Sequence, residues 1–320
     1  MALIAGCGVQ KETTAEKYPT KPINMIVPYA AGGTADIMAR GMEKAAAKYF
    51  GQTFVITNIP GGGATIGWNE LAGAKPDGYT IGIVSSGVFL QPLYDQTRYH
   101  YPTALEPLVQ VANVPIIIVA RSDQLWTDLN DLVRYGKQNP GEIKYGHPGL
   151  GAVIHVGAET FAKEAGIDIV QVPFRGDAES LAALLGGHIK LMFTTPYAVK
   201  EHVKSGKVKV LAVTADQRLT DPVFANVPTC KEQGVNVSIG FIQAVGAPKG
   251  LPADVKARLA EGLKGIVNDP EFRKSMDGLG MPVDYQGFKE FSEKWTTEGA
   301  RLTQMVKETG IAERIASQKK

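Results

Sequence analysis

The stretch that decides the fold runs from residue 23 to residue 36 and reads Ile-Asn-Met-Ile-Val-Pro-Tyr-Ala-Ala-Gly-Gly-Thr-Ala-Asp. Its β-branched beginning predicts a short strand over 23–27, which Pro28 ends because proline cannot continue a sheet ladder. Helical periodicity then predicts a helix over 36–49. The two glycines between strand and helix let the backbone turn tightly. A strand that turns directly into a helix is the building unit of an α/β protein.

The same order of strand, turn and helix recurs along the chain. Further strands are predicted over 53–57, 79–84, 115–120, 167–172, 189–193, 207–214 and 241–246. Helices are predicted between them over 66–74, 127–138, 152–165, 178–185 and 197–204, and a helical tail over 252–267, 270–278 and 288–317. Because strands alternate with helices, we predict parallel sheets that helices cover on both faces.

Turns rich in glycine or hydroxyl residues stand where predicted strands end, three in each half of the chain. They lie at 29–36, 58–65, 85–87, 146–152, 174–177 and 194–196. Because open α/β sheets bind ligands outside the carboxyl ends of their strands, we predict two lobes that face each other across one cleft. We place the first lobe at 18–115 plus 240–320 and the second at 116–239, with a hinge near 112–120 and 235–241.

Composition excludes several classes of function. The 320 residues suffice for two domains, and their net charge of +2 lacks the basic excess of a nucleic-acid-binding protein. The longest apolar run, at 116–120, is far shorter than the roughly 20 residues that span a bilayer. Five scattered histidines and two cysteines have no zinc-ligand spacing. We therefore expect neither a metal nor a cofactor.

The sequence carries no strong catalytic motif. Residues 62–67 have the glycine spacing of a phosphate-binding loop, but Trp68 stands where such a loop needs lysine. The sequence contains no Gly-x-Ser-x-Gly elbow and no His-Glu-x-x-His, and Cys230 is predicted to be a packed thiol. We expect a protein that is not an enzyme. An enzyme that works on a small acid is the alternative, and it would need a buried titratable pair.

The amino terminus resembles a bacterial lipobox. Residues 3–7 read Leu-Ile-Ala-Gly-Cys, and 8–17 follow as a polar stretch without apolar periodicity. The apolar run before Cys7 is shorter than a complete export signal. We expect Cys7 to carry lipid and 1–17 to act as lipobox remnant and tether. The folded part would then lie outside the cytoplasm, in the periplasm or on the outer face of the cytoplasmic membrane.

The first two glycine-rich turns, at 29–36 and 58–65, contain no Lys, Arg or His. Both precede a predicted helix, where unpaired backbone N–H groups and the helix dipole attract an anion. A cleft built from such turns is expected to hold an anionic group through backbone amides and not through a cationic side chain.

Several side chains at the strand ends have two possible roles. Tyr29 and Phe174 each follow Val-Pro, and they could close on a ligand from opposite lobes or plug the strand–helix corners. Arg175 could pair with a ligand carboxylate or lie on the surface. Asp177 could accept a ligand ammonium or cap the following helix.

Seven segments together resemble one known family. They are 18–23, 27–36, 58–63, 76–80, 172–176, 185–188 and 228–234. In this order they resemble the extracytoplasmic solute-binding proteins of tripartite tricarboxylate transporters, called the TctC or Bug family. The resemblance extends from about residue 18 into the tail.

The resemblance implies a two-lobed, type II-like periplasmic-binding-protein (Venus-flytrap) fold. It implies a small carboxylate ligand, whether di- or tricarboxylate, aromatic acid or acidic amino acid, that is delivered to a permease with a large and a small membrane subunit. The residues expected to bind the ligand are Tyr29, Ala30, Gly33, Thr34, Ala35, Gly63, Ala64, Thr65, Ser85, Ser86, Gly149, Gly151, Ala152, His155, Phe174, Arg175, Asp177 and Thr195.

This chain departs from the family pattern in the second lobe. His147 and Pro148 replace a pair of small hydroxyl residues, Gln171 replaces a histidine, and Asp177 replaces a small residue. These positions leave the identity of the carboxylate open. We expect a monomer with one ligand per chain; a sensor module that reports to a membrane receptor is the alternative to uptake.

Overall fold

The computed structural model describes residues 18–94, 97–174, 176–278 and 281–318. The strands are β1 (Ile23–Val27), β2 (Phe54–Asn58), β3 (Thr80–Ser85), β4 (Leu105–Pro115), β5 (Ile117–Arg121), β6 (Ile143–His147), β7 (Ile169–Pro173), β8 (Leu191–Thr194), β9 (Val208–Val213), β10 (Gly240–Pro248) and β11 (Val283–Gln286). They form two sheets, one in each lobe of an α/β fold.

Helices flank these sheets. They are α1 (Thr34–Phe50), α2 (Thr65–Gly73), α3 (Gly87–Tyr94), α4 (Tyr101–Ala104), α5 (Leu129–Gln138), α6 (Val153–Ala165), α7 (Asp177–Leu185), α8 (Pro196–Lys204), α9 (Ala253–Val267), α10 (Pro270–Gly278), α11 (Phe288–Thr309) and α12 (Ile311–Gln318). A short 3-10 turn at Gly62–Ala64 precedes α2, and another lies at Lys231–Gln233.

The first sheet has the order β11-β4-β10-β3-β1-β2. β1 pairs in parallel with β2 and β3, whereas β10 and β11 pair antiparallel with their neighbours. One face of the sheet packs its buried aliphatic side chains against α1, α9 and α10. The carboxyl ends of β1, β2 and β3 therefore meet at one edge, where α1, α2 and α3 begin.

The second sheet has the order β7-β6-β8-β5-β9. β6 pairs in parallel with β7 and β8, and β5 pairs antiparallel with β8 and β9. A core of buried residues continues from Trp68 and Phe89 in the first lobe to Tyr145 and Phe161 in the second. The two lobes thus share apolar contacts and are joined by more than their covalent connections.

The fold class predicted from the sequence is confirmed, but the prediction of purely parallel sheets is wrong. The eight predicted strands lie within two residues of observed ones at each end. β4, β6 and β11 were not predicted, and neither were α3 and α4. β4 and β10 run antiparallel because the chain leaves the first sheet along β4 and later returns to it along β10, which lies beside β4.

The predicted long tail helix is divided in two. Gly310 ends α11 in the left-handed conformation at φ 62°, and α12 begins at the next residue. A left-handed residue closes a helix, and glycine adopts this conformation without a steric penalty. The tail packs on β4 and α3 of the first lobe and also on α6 of the second.

Candidate functional site

A cavity of about 520 Å³ opens between the two lobes at the carboxyl ends of the central strands. Its walls consist of Tyr29, Gly33, Thr34, Ala35, Gly63, Trp68, Ser85, Gly87, Gln91, Pro148, Gly149, Leu150, Gly151, Ala152, Val153, Ile154, Gly176, Asp177, Thr195, Phe241 and Gln243. This volume suits a small organic molecule, and the position agrees with the general rule for ligands of open α/β sheets.

Four helices begin at the wall of this cavity with free backbone donors. The residues that precede α1, α6, α7 and α8 are Gly33, Ala152, Gly176 and Thr195, and none of their side chains caps its helix. The first N–H groups of a helix have no partner within the helix and carry its partial positive charge. Together they make a site that favours a negatively charged group.

Asp36 fixes the turn before α1 and does not line the cavity. It is 2% exposed, and its carboxylate accepts hydrogen bonds from the Gly32 N–H, Arg40 and Asn58. Burial alone would raise the pKa of Asp36, but these hydrogen bonds hold it below the usual value. The carboxylate therefore stays ionised and holds the Gly32–Gly33 turn against β2.

The second glycine-rich turn needs unusual backbone angles. Gly61, Gly62 and Gly63 all have positive φ, and Ala64 follows at φ 81°. Among the described residues, Ala64 is the one non-glycine residue with positive φ. This backbone conformation costs energy for any residue that has a Cβ. Gly63 lines the cavity, while the Thr65 hydroxyl donates to the Gly62 carbonyl and so closes the turn.

Two hydroxyl groups of the first lobe face each other at the cavity. The Tyr29 hydroxyl and Ser85 Oγ are 2.9 Å apart, and the Tyr29 ring meets the edge of Trp68. Burial raises the pKa of Tyr29, so the phenol stays neutral and can donate a hydrogen bond. These groups offer directional polar contacts without charge.

A stacked pair of buried histidines makes hydrogen bonds to the backbone of the turn at 149–152. The rings of His147 and His155 stack with centroids 4.2 Å apart, and neither side chain is exposed beyond 1%. The Gly151 N–H donates to His155 Nδ1 at 3.1 Å, and His147 Nδ1 contacts the Gly149 carbonyl oxygen at 2.9 Å. Burial lowers the pKa of both, that of His155 to about 2, so the stack is uncharged at neutral pH.

Most of the residues predicted from the sequence lie at the cavity wall. They are Tyr29, Gly33, Thr34, Ala35, Gly63, Ser85, Gly149, Gly151, Ala152, Asp177 and Thr195. Ala30, Ala64, Thr65, Ser86, His155 and Phe174 do not line it. Arg175 and Cys7 lie outside the described residues.

The residues away from the wall have other contacts. Ser86 Oγ accepts a hydrogen bond from the Ile242 N–H and so ties β3 to β10. Phe174 packs in the apolar core of the second lobe, close to Gly146, as the corner-plug alternative predicts. Ala30 is exposed beside the turn. Besides Tyr29, the aromatic side chains at the described cavity wall are Trp68 of α2 and Phe241 of β10.

Several wall residues were not among the predicted ligand-binding residues, although Gly87, Pro148, Leu150 and Gly176 belong to turns that the sequence placed at the cleft. They are Trp68, Gly87, Gln91, Pro148, Leu150, Val153, Ile154, Gly176, Phe241 and Gln243. One signal was present: Gln243 interrupts the apolar run of β10, yet it is only 5% exposed. A buried amide in a central strand points to a polar site, since burial without a partner is costly.

Within the described ranges, no cluster of His, Cys, Asp and Glu could hold a metal ion. No helix in this part of the chain is both long enough and apolar enough to cross a membrane. The cleft thus consists of helix starts, neutral hydroxyl and amide groups, apolar walls and one carboxylate.

A two-lobed α/β fold with an interlobe cleft of this kind defines a solute-binding receptor. The chain belongs to the tripartite tricarboxylate transporter receptor family, TctC, whose model matches residues 38–311. It is 33% identical over 251 residues to the protein BugT of Bordetella pertussis, covering 77% of this chain and 76% of BugT.

Solved structures of two Rhodopseudomonas palustris proteins share the fold. Rpa4515, solved with adipate, has a TM-score of 0.80 and 28% identity over 92% of this chain and 98% of its own. MatC, solved with bound malate, has a TM-score of 0.77 and 26% identity over 90% of this chain and all of its own.

Proposed function

We propose that this receptor binds a small organic carboxylate in the interlobe cleft and delivers it to a membrane permease with a large and a small subunit. One observation carries the proposal: four uncapped helices start at a cavity whose described wall contains no Lys, Arg or His. An anion is the ligand that such a wall favours, and backbone amides and bridging waters would hold it.

The family and its ligands support a carboxylate. Adipate in Rpa4515 and malate in MatC are both small carboxylates. The receptor performs no chemistry in this proposal, because Asp177 is the one carboxyl group on the described wall and has no second acid or base beside it there.

We further propose how the chain is divided between the two lobes and where the receptor acts. The first lobe comprises 18–115 and 240–320, and the second comprises 116–239; the order of strands in the two sheets supports this division. The protein acts as a monomer outside the cytoplasm and is anchored through lipid on Cys7.

The proposal is tested by identifying a ligand directly. Freshly purified protein is denatured, and the released small molecules are identified by mass spectrometry. Thermal shifts are then measured with a panel of mono-, di- and tricarboxylates, amino acids and uncharged analogues. A ligand at 100 times its Kd should stabilise the fold by about 2.7 kcal/mol. Stabilisation by the uncharged analogues alone would contradict the proposal, and turnover of the bound acid would indicate an enzyme.

A further inference from the structure

The described wall of the cavity contains one ionisable carboxyl group and no cationic side chain. Of its side chains only Asp177 is a carboxyl group, and none is Lys, Arg or His. The remaining polar side chains are uncharged hydroxyls and amides. A site that attracts one anion through helix starts therefore presents a carboxyl group of its own elsewhere on its wall.

Asp177 is not neutralised by the described part of the protein. It is the first residue of α7, and Thr194 Oγ1 donates to its Oδ1 at 2.5 Å. No other described group hydrogen-bonds to this carboxylate, and no described Lys, Arg or His forms an ion pair with it. Burial raises the pKa of Asp177, which is the sign of a carboxylate that lacks a positive partner.

A second unpartnered acceptor lies in the same cavity. Gln243 lines it from β10, and its Oε1 is buried without a hydrogen-bond partner. The Oδ2 atom of Asp177 and the Oε1 atom of Gln243 are both hydrogen-bond acceptors. Two acceptors that lack a donor, one of them on a carboxyl group, fit a ligand group that donates several hydrogen bonds and carries positive charge.

Asp177 and the glycine-rich turns around Gly33 and Gly63 belong to opposite lobes. Gln243 lies on β10, in the same sheet as the strands that precede those turns. A ligand that extends from the turns to Asp177 would have a carboxylate at one end and its second group at the other.

We infer that the ligand is a carboxylate with an ammonium group at its opposite end, such as an α,ω-amino acid, and that Asp177 and Gln243 receive the ammonium. This inference rests on the proposed function and deepens it. A second carboxylate at the far end would face the Asp177 carboxylate, and two like charges close together repel each other.

The test compares ligands of equal length that differ in one end group. Titration calorimetry at pH 7.5 measures 4-aminobutanoate, butanedioate and butanoate, and then the five- and six-carbon sets. We expect the amino acid to bind more tightly than the dicarboxylate and the monocarboxylate at the length that fits. Loss of one charged contact corresponds to roughly tenfold or more in Kd.

Variants assign the effect to Asp177. Asp177→Asn keeps the shape and should lose roughly tenfold or more in affinity for the amino acid while gaining affinity for the dicarboxylate. Asp177→Ser provides a second variant if the first does not fold by circular dichroism. Glu164→Gln, an exposed carboxyl on α6, removes the same charge away from the cavity and should change neither affinity.

The outcomes separate the inference from the proposed function. Tighter binding of dicarboxylates to the wild type, with Asp177→Asn unchanged, would overturn the inference and leave the carboxylate receptor intact. Dicarboxylate binding that strengthens as the pH falls would show that a protonated Asp177 donates to a second carboxylate, and this too would overturn it. Failure of every carboxylate to bind would overturn both.

Discussion

At Gly33 a side chain can block the backbone N–H groups at the start of α1 without distorting the backbone. Its φ of −80° and ψ of 170° are available to any residue, and an added Cβ would meet only the Ala30 carbonyl oxygen at 3.5 Å. Gly33→Val should therefore fold, with a loss of about 1 kcal/mol at the start of α1, while its side chain occupies the cavity wall. We expect carboxylate binding to be lost in calorimetry.

The control for this substitution is another glycine with free space around it. Gly278 is exposed at the end of α10, and a Cβ there meets nothing within 4 Å. Gly278→Val should bind like the wild type. If folded Gly33→Val also binds like the wild type, the helix start of α1 does not hold the ligand. Gly63 is unsuitable for this test because its φ of 63° would strain any other residue.

His155 should make the stability of the protein depend on pH. Burial lowers its pKa in the folded state to about 2, whereas the unfolded chain titrates near 6.5. Above pH 6.5 neither state takes up a proton there. Below it the unfolded state gains the proton first, so the free energy of unfolding falls as the pH falls, by about 2 kcal/mol at pH 5.

His155→Asn isolates this contribution. The asparagine side chain can still accept the hydrogen bond that the Gly151 N–H now donates to His155 Nδ1, but it does not titrate. Urea unfolding at pH 7.5 and pH 5.0 should show a smaller loss of stability in the variant. Equal losses in both proteins would contradict the role of His155.

At the residue scale, the sequence predicted the turns better than the side chains between them. Gly33, Gly63 and Gly151 could be found because a strand end followed by glycine and a helix has a local signature. Phe241 carries no such signature, and the break that Gln243 makes in an apolar run does not reveal its place, since both residues reach the cavity only because β10 returns to the first sheet beside β3. That pairing joins residues about 160 positions apart in the chain and leaves no local pattern.

At the scale of elements, β4 shows why a central strand can be missed. It contains Glu106, Pro107 and Gln110, which are untypical of strands. The two polar residues nevertheless have specific partners: Glu106 accepts a hydrogen bond from the Leu251 N–H and pairs with Lys256, and Gln110 donates to Asp284 of β11. Partners supplied by the tail make these polar residues compatible with burial, and sequence periodicity does not reveal such partners.

The two segments that cross between the sheets are joined by one buried threonine. Thr214 Oγ1 accepts from the Ile116 N–H at 3.2 Å and lies within hydrogen-bond distance of the Ile116 and Ile239 carbonyl oxygens. Ile116 separates β4 from β5, and Ile239 directly precedes β10. Thr214 therefore holds the crossing segments together.

Replacing this hydroxyl should destabilise the protein. Thr214→Val keeps the shape but leaves the buried Ile116 N–H without its acceptor, which costs about 1–3 kcal/mol. Thr303→Val on α11 is the control, because its hydroxyl only bonds within the helix to the Gly299 carbonyl. The urea midpoint should fall for Thr214→Val and stay close to the wild type for Thr303→Val. A wild-type midpoint for Thr214→Val would show that the hydroxyl does not tie the crossings.

For the whole molecule, the helical tail adds a third link between the lobes. Glu308 of α11 pairs with Lys163 of α6 at 3.1 Å, and Arg314 of α12 pairs with Glu159. The sequence interpretation placed the tail with the first lobe alone, since helix periodicity shows which face is buried but not what covers it. Any movement of the lobes must accommodate these contacts as well as the crossings at Ile116 and Ile239.

Ligand binding should close the lobes about the crossing segments. The walls of the cleft come from both lobes, so a ligand held at the start of α1 in the first lobe also faces wall residues of the second. A closed state that makes contacts from both sides binds the ligand better than an open one, so the ligand shifts the population toward closure. Small-angle scattering should then give a smaller radius of gyration with saturating ligand. Gly33→Val at the same ligand concentration should keep the larger radius of gyration, because the valine side chain blocks the ligand from the start of α1. Equal scattering curves for the wild type with and without a ligand shown by calorimetry to be bound would mean that the cleft is already closed around its site.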